Sequence, residues 1–479
     1  MVRIPLPDDL AAALAATPGL EQVYVVGGYL RDRLLGIDSK DVDVEVFGVS
    51  LDELAQRLSA AGRVDLVGRS FGIVKWTLPS GSTYDLSIPR RDSKVGIGHR
   101  GFEVEFDPRM EPRDAANRRD FTINALMLDL RTGELLDFFG GLGDLERRVL
   151  RHVGPAFVED PLRVLRAMQF VARFDLTVAP ETVALCREMV GSFDELSKER
   201  VREEWFKWAA QSAVPSRGLR FLAESGWLVH FPEIAALAET PQDPDWHPEG
   251  DVFVHTGHCL DRLVELLEWR AADRETRVVY ALAVLAHDFG KPETTHREVK
   301  RGVLRIVSPG HEAAGVLRAE RFFERIGAPE AIVRRVGPLV REHLVGMQEM
   351  TPRAIRRLAR RLAPENIEGL AVVMTADAMG RPPLPAVVPP HVVALLDAAR
   401  REDVAAAAPA PLLLGRHLIE LGLPPGPAIG ALLARGYDAQ LDGEFVDLDG
   451  ARTWLLAHEA ERLGDTAAER LAAILDAGR

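Results

Sequence analysis

Near Asp160 the hydrophobic pattern of this chain changes its period, and that switch constrains the fold more than any other feature. Before it, short β-like runs at Val23 to Val26, Val42 to Phe47, Ile73 to Leu78 and Thr83 to Ile88 surround helical spacing in Asp52 to Ala61. After it, Pro161 to Phe174, Pro180 to Val190 and Glu199 to Ala210 carry apolar residues three and four apart. Strands this close together suit hairpins and mixed pairing, not a long doubly wound repeat. The expectation is an α+β chain. It would have a mixed-sheet head over 1–150, a helical neck over 151–240, a helical domain over 241–385 and a C-terminal helical region over 386–479. The Pro-rich stretches Thr240 to Gly250 and Arg381 to Pro390 read as a linker and a break, and a final amphipathic helix is expected near Leu455 to Leu475. Pro89 to Asn117, with Gly96, Gly98 and Gly101 beside the charged run Arg90 to Lys94, reads as a mobile loop.

The head carries the sharper chemical signal. Val23 to Val26 runs into Gly27-Gly28, then into a helix start with Arg31 one turn in. Paired glycines let backbone amides approach a triphosphate, and a helix N-terminus favours its charge. In the strand that follows, a period of two puts Asp41 and Asp43 on one face. Two convergent carboxylates with room for phosphate oxygens suit Mg²⁺. Asp85, on another strand, is a candidate third carboxylate, or else a structural one. Asp160, Arg163 and Arg166, spaced by three, are expected on one helical face, where carboxylate and guanidinium can distinguish bases that present an amino group.

These blocks resemble the class II tRNA nucleotidyltransferase and bacterial poly(A) polymerase family. The matching segments are Gly27-Gly28-x-x-Arg31-Asp32 with Asp41-x-Asp43, Arg118 to Ala125, Glu159 to Arg166, and Leu196 to Arg200. The resemblance implies template-independent addition of CTP- and ATP-derived nucleotides to the 3′ end of tRNA. It also implies that Arg119, Asp120 and Asn124 belong to the motif that reads triphosphate and ribose. Family members that add only C-C have a shortened segment near Pro89 to Asn117. The length kept here favours addition of the full C-C-A, with an A-adding specialist as the alternative.

The helical half holds His255, His287-Asp288, His311, His343 and Asp377 in an order that resembles the HD phosphohydrolases. The resemblance implies a divalent metal on His255, His287, Asp288 and Asp377. His311 and His343 are second-metal candidates, and Lys291 is a candidate phosphate holder. Imidazole favours Ni²⁺, Mn²⁺, Fe²⁺ or Zn²⁺, and carboxylates also tolerate Mg²⁺. Phosphatase or 2′,3′-cyclic phosphodiesterase activity would follow. A metal phosphohydrolase with a regulatory nucleotide-binding head is the rival reading.

Net charge of −13 argues against nonspecific coating of nucleic acid, since phosphate affinity depends on displaced counterions. Arg356 and Arg357, in the arginine run Arg353 to Arg361, are candidate tRNA contacts or else a solvated helix face. Two distant cysteines, Cys186 and Cys259, fit neither a disulfide framework nor a thiolate zinc site, and are expected to be inert packing. No apolar run is long enough to span a bilayer, so the expected location is the cytoplasm.

Overall fold

The run Gln22–Val26 (β1) is almost entirely β-forming side chains, and in the computed structural model four of its five residues are buried. The structure describes residues 4–39, 41–66, 72–94, 102–346 and 350–477. Around β1 stand Asp43–Phe47 (β2), Arg63–Leu66 (β3), Ile73–Thr77 (β4), Thr83–Ser87 (β5), Arg90–Lys94 (β6), Phe102–Phe106 (β7), Met127–Asp129 (β8) and Leu135–Leu136 (β9). Seven of them form one sheet in the order β3-β4-β5-β2-β1-β8-β9. β2 pairs antiparallel with β1 but parallel with β5, so the sheet is mixed. Tyr24, Val26, Phe47 and Met127 pack on one face against Met110, Ala115 and Ala116.

Local chemistry sets the helix starts. Ser50 and Glu53 close a capping box on Leu51–Leu58, whose Leu54 and Leu58 are buried. The expected helix therefore begins one residue early and stops at Leu58. The stretch Pro89 to Asn117 is not a loop among its described residues. β6 and β7 pair antiparallel, and Pro112–Asn117 is a helix with proline in its first turn. Residues 95–101, including Gly96, Gly98 and Gly101, lie outside the described residues.

The chain forms two compact units, Met1–Ala235 with Arg325–Gly327, and Ala236–Glu324 with Ala328–Arg479. In the second, Val252–Leu263 packs on Arg274–Ala286 and on Ile367–Met379. Ala281 to Ala286 are buried without a break, so the Arg274–Ala286 helix runs through the core. A hairpin interrupts the otherwise helical pattern: His296–Lys300 pairs with Val303–Val307 through Arg301 and Gly302, both at positive φ. The expected final helix is broken. Leu448–His458, Ala460–Leu463 and Asp465–Ala477 follow one another, with Gly464 at φ +78°. No helix among the described residues is long and apolar enough to cross a membrane.

Candidate functional site

The β2 registers decide the geometry of the head. Val26 lies opposite Asp43 on one side and Asp85 lies opposite Asp43 on the other. Neighbouring strands sit about 4.8 Å apart, so Asp43 and Asp85 stand side by side on one face, whereas Asp41 precedes the strand and does not share its alternation, though its charge reaches Asp43. Glu45 extends the same face, a residue that the period of two could have found. Asp43 retains exposed surface, yet protein atoms crowd its carboxyl and raise its pKa. Arg119 opposes that rise, and Asp85, Asp41 and Glu45 add to it. A carboxylate held uphill by like charges is what a bound divalent cation relieves.

Gly27 ends β1 at φ +73°. A Cβ there would stand 3.2 Å from an Arg119 nitrogen and 3.6 Å from an Asp43 oxygen. Glycine takes that dihedral without strain and leaves the approach to Asp43 open. Arg119 lies 3.4 Å from Glu45, and its buried Nε has no hydrogen-bond partner. A cavity of about 260 Å³ opens here, lined by Glu45, Ser87, Arg90, Arg118 and Arg119 among others. The Glu45 carboxylate and the guanidinium groups of Arg90, Arg118 and Arg119 thus meet at one cleft, with Asp43 close to Arg119, as a polyphosphate site requires.

The other predicted head residues form a buried network behind it. Arg31 donates to Asp32 and, at 2.6 Å, to Asn124, and its guanidinium lies over Phe174. Asn124 donates to Asp120, which also accepts from Arg166 at 2.7 Å. Arg31 is therefore engaged inside the protein. Asp160, Arg163 and Arg166 do not share a helix face, because Pro161 follows Asp160 and the helix begins at Leu162. Asp160 accepts from the Leu162 amide and from Arg200, while Arg163 donates to the carbonyls of Ala156 and Arg118.

The second unit gathers all of its predicted ligands. His255, His287 and Asp377 place ligand atoms within 4.8 Å of one another, together with Cys259; Asp288, His311 and His343 do the same. Asp288 faces both sets. Its Oδ2 is 3.3 Å from His287 Nε2, and its Oδ1 is 3.3 Å from His311 Nε2. His311 and His343 oppose Nε2 atoms at 3.3 Å. Beyond these close ion-pair contacts, His287 Nε2 and both Asp288 oxygens are buried and make no well-aligned hydrogen bond among the described residues. Orphaned donors of this kind fit one or two divalent cations. Burial pushes His343 down to about 3, aided by the nearby His287. For Asp288, burial acts upward but the charges of His287 and Lys291 hold its pKa well below the usual carboxylate value. Lys291 lies 2.7 Å from Asp288 and also donates to Gln242.

Two further groups escape a reading of histidines alone. Glu249 accepts from His255 Nδ1 at 2.7 Å and from His247 at 3.0 Å. Burial raises its carboxyl, and those two hydrogen bonds outweigh it, bringing the pKa to about 2. Thr240 to Gly250 therefore is not a bare linker, since it supplies Gln242, His247 and Glu249. Cys259 lies 3.3 Å from His255 Nε2, among the ligands and not in inert packing. Its position four residues after His255 was the available signal. Cys186 is buried elsewhere, its thiol pushed up to about 12 by burial. Arg356 donates to Leu441 and Glu402, and Arg357 pairs with Asp442 at 2.7 Å, so the structure engages both with the C-terminal helices.

The sheet and its carboxylates define the class. Residues 23–151 match the Poly A polymerase head domain, 175–237 the probable RNA and SrmB-binding site of polymerase A, and 253–380 the HD domain. A multifunctional CCA protein of Xanthomonas campestris pv. campestris is 38% identical over 372 residues, covering 75% of this chain and 85% of that protein. One from Nitrosospira multiformis is 36% identical over 370 residues, covering 75% and 84%. The chain belongs to the multifunctional CCA protein family. Its fold is shared with the Bacillus stearothermophilus CCA-adding enzyme solved with CTP (TM-score 0.61, 22% identity, 91% of this chain and 93% of that one). It is also shared with the Thermotoga maritima CCA-adding enzyme solved with tRNA (TM-score 0.53, 20% identity, 96% and 97%).

Proposed function

We propose that the head adds C, C and A to the 3′ end of tRNA from CTP and ATP, releasing pyrophosphate, and that the helical centre hydrolyses phosphate esters at damaged RNA ends. The observation that carries the first part is the pairing of Asp43 with Asp85 across β2 and β5, with Arg119 close to Asp43 and Glu45 at the adjoining cleft. Asp41 and Asp43, supported by Asp85, would hold Mg²⁺, which lowers the pKa of the attacking hydroxyl and offsets charge on the leaving group. Arg119, whose guanidinium stands beside Asp43 and Glu45, would meet phosphate oxygens where charge develops during transfer. Gly27 and Gly28 keep the backbone open to the triphosphate. Arg31, Asp120 and Asn124 act as the brace that fixes this wall. Asp160 and Arg163 read the base, Asp160 exchanging Arg200 for an exocyclic amine, with Arg166 anchored on Asp120 behind them.

In the helical centre His255, His287, Asp288 and Asp377 hold a first divalent cation, with His311, His343 and the shared Asp288 suited to a second. Lys291 neutralises Asp288 and stands where a phosphate oxygen could replace Gln242. Paired single variants test the assignment. Asp43→Asn is expected to lower C addition by roughly 10³-fold, about 4 kcal/mol at 1.36 kcal/mol per tenfold, and to leave metal-dependent phosphatase activity intact. His287→Ala is expected to do the reverse. A wild-type protein with no phosphatase or cyclic phosphodiesterase activity would remove the second assignment and leave the first.

A further inference from the structure

The helical centre contains a donor that its histidines and aspartates do not explain. Cys259 follows His255 by four residues on Val252–Leu263, so one face of one helix presents an imidazole and a sulfur together. The Cys259 sulfur is fully buried, 3.3 Å from His255 Nε2 and 3.7 Å from both His255 Nδ1 and the Asp377 carbonyl oxygen, to which the thiol donates. Its ligand atom is within 4.8 Å of those of His255, His287 and Asp377. A side chain at position 380 would collide with this sulfur, and the chain has Gly380 there. An independent observation points into the same space: His287 Nε2 is buried and, apart from its 3.3 Å approach to Asp288, makes no well-aligned hydrogen bond among the described residues.

We propose that Cys259 is a thiolate ligand of the helical centre, completing with His255, His287 and Asp377 a four-donor site that selects thiophilic ions such as Zn²⁺ over Mg²⁺ and leaves Asp288 to the second cation with His311 and His343. Metal–sulfur and metal–nitrogen bonds of about 2.3 and 2.0 Å in tetrahedral geometry put those donors roughly 3.5 Å apart. The observed 3.3 Å between sulfur and His255 Nε2 matches that spacing. His255 is prepared for the role because its Nδ1–H is held by Glu249, leaving Nε2 toward the cluster. Binding would release the thiol proton to solvent as the metal–sulfur bond forms.

This inference rests on the helical centre holding a metal, and Co²⁺ separates the two claims. Full-length metal-free protein is titrated with Co²⁺ while its visible ligand-field bands and near-ultraviolet sulfur-to-cobalt charge-transfer band are followed. The wild type and Cys186→Ser are expected to show both, since the head offers Co²⁺ only oxygen. Cys259→Ser and Cys259→Ala should lose the sulfur band, keep tetrahedral ligand-field bands, and lose roughly 10-fold or more in Zn²⁺ affinity relative to Mn²⁺. His287→Ala should weaken both band sets. Ligand-field bands without a sulfur band in the wild type, or a sulfur band that survives in Cys259→Ser, would overturn the thiolate assignment alone. Absence of any tetrahedral band would overturn the metal centre itself.

Discussion

Three histidines of the helical centre are oriented by one local device. His287, His311 and His343 each direct Nδ1 to the carbonyl three residues earlier, at Val284, Ser308 and Val340, over 2.6 to 2.7 Å. A carbonyl only accepts, so Nδ1 carries the proton and Nε2 faces the cluster. His255 differs, because its Nδ1 partner is the Glu249 carboxylate. Burial opposes a charge on His255, and its neighbours outweigh burial and raise its pKa well above the usual value. The nearby Cys259 sulfur contributes most to that rise, followed by the hydrogen bonds to Asp377 and Glu249. Glu249 is thus a positioning residue. Glu249→Ala is expected to lower metal affinity at this centre by about 10–100-fold, read by chelator competition in protein that also carries Asp43→Asn to silence the head. Affinity unchanged by that substitution would remove the positioning role.

At the scale of elements, what could be read from sequence depended on whether a partner lies near in the chain. The period of two places Glu45 with Asp43, whereas Asp41 lies before the strand that the alternation assumed. Asp85 is bound to them only through the parallel β2–β5 register, which no local pattern contains. The β6–β7 hairpin was hidden because Arg90 to Lys94 is uniformly polar, although Phe102 to Phe106 alternates cleanly. Arg356 and Arg357 find their partners on distant C-terminal helices, so spacing alone left their role open. Asp120 and Arg166 join the head to the helix Leu162–Phe174 in the same non-local way. Burial raises the Asp120 pKa, but Arg166, Asn124 and Arg163 outweigh it and the net shift is downward. A depressed folded pKa contributes stability that is present above the unfolded value, about 3.9, and lost as pH falls through the folded value. Thermal unfolding of Asp120→Asn should accordingly show a weaker acid dependence than wild type over that window. Parallel curves would place the acid sensitivity elsewhere.

On the scale of the whole molecule, the helical unit gathers its metal-capable side chains into close clusters, and the head pairs Asp43 with Asp85 within itself. The head places hard oxygen donors beside guanidinium groups, which suits a polyphosphate and Mg²⁺. The helical unit mixes imidazole, carboxylate and sulfur, which suits transition ions and ester hydrolysis. On the proposed function one chain would act on an RNA end in two ways, each removable by substitutions in its own unit. Membership of the multifunctional CCA family agrees with the first, and the product of the head is the central claim. The most direct measurement gives purified protein tRNA that lacks its C-C-A end, with CTP and ATP singly and together. The account predicts C-C from CTP alone, C-C-A from both, and no extension of the bare end by ATP. Addition of A to tRNA ending in C-C, without addition of C to the bare end, would contradict it and mark an A-adding specialist.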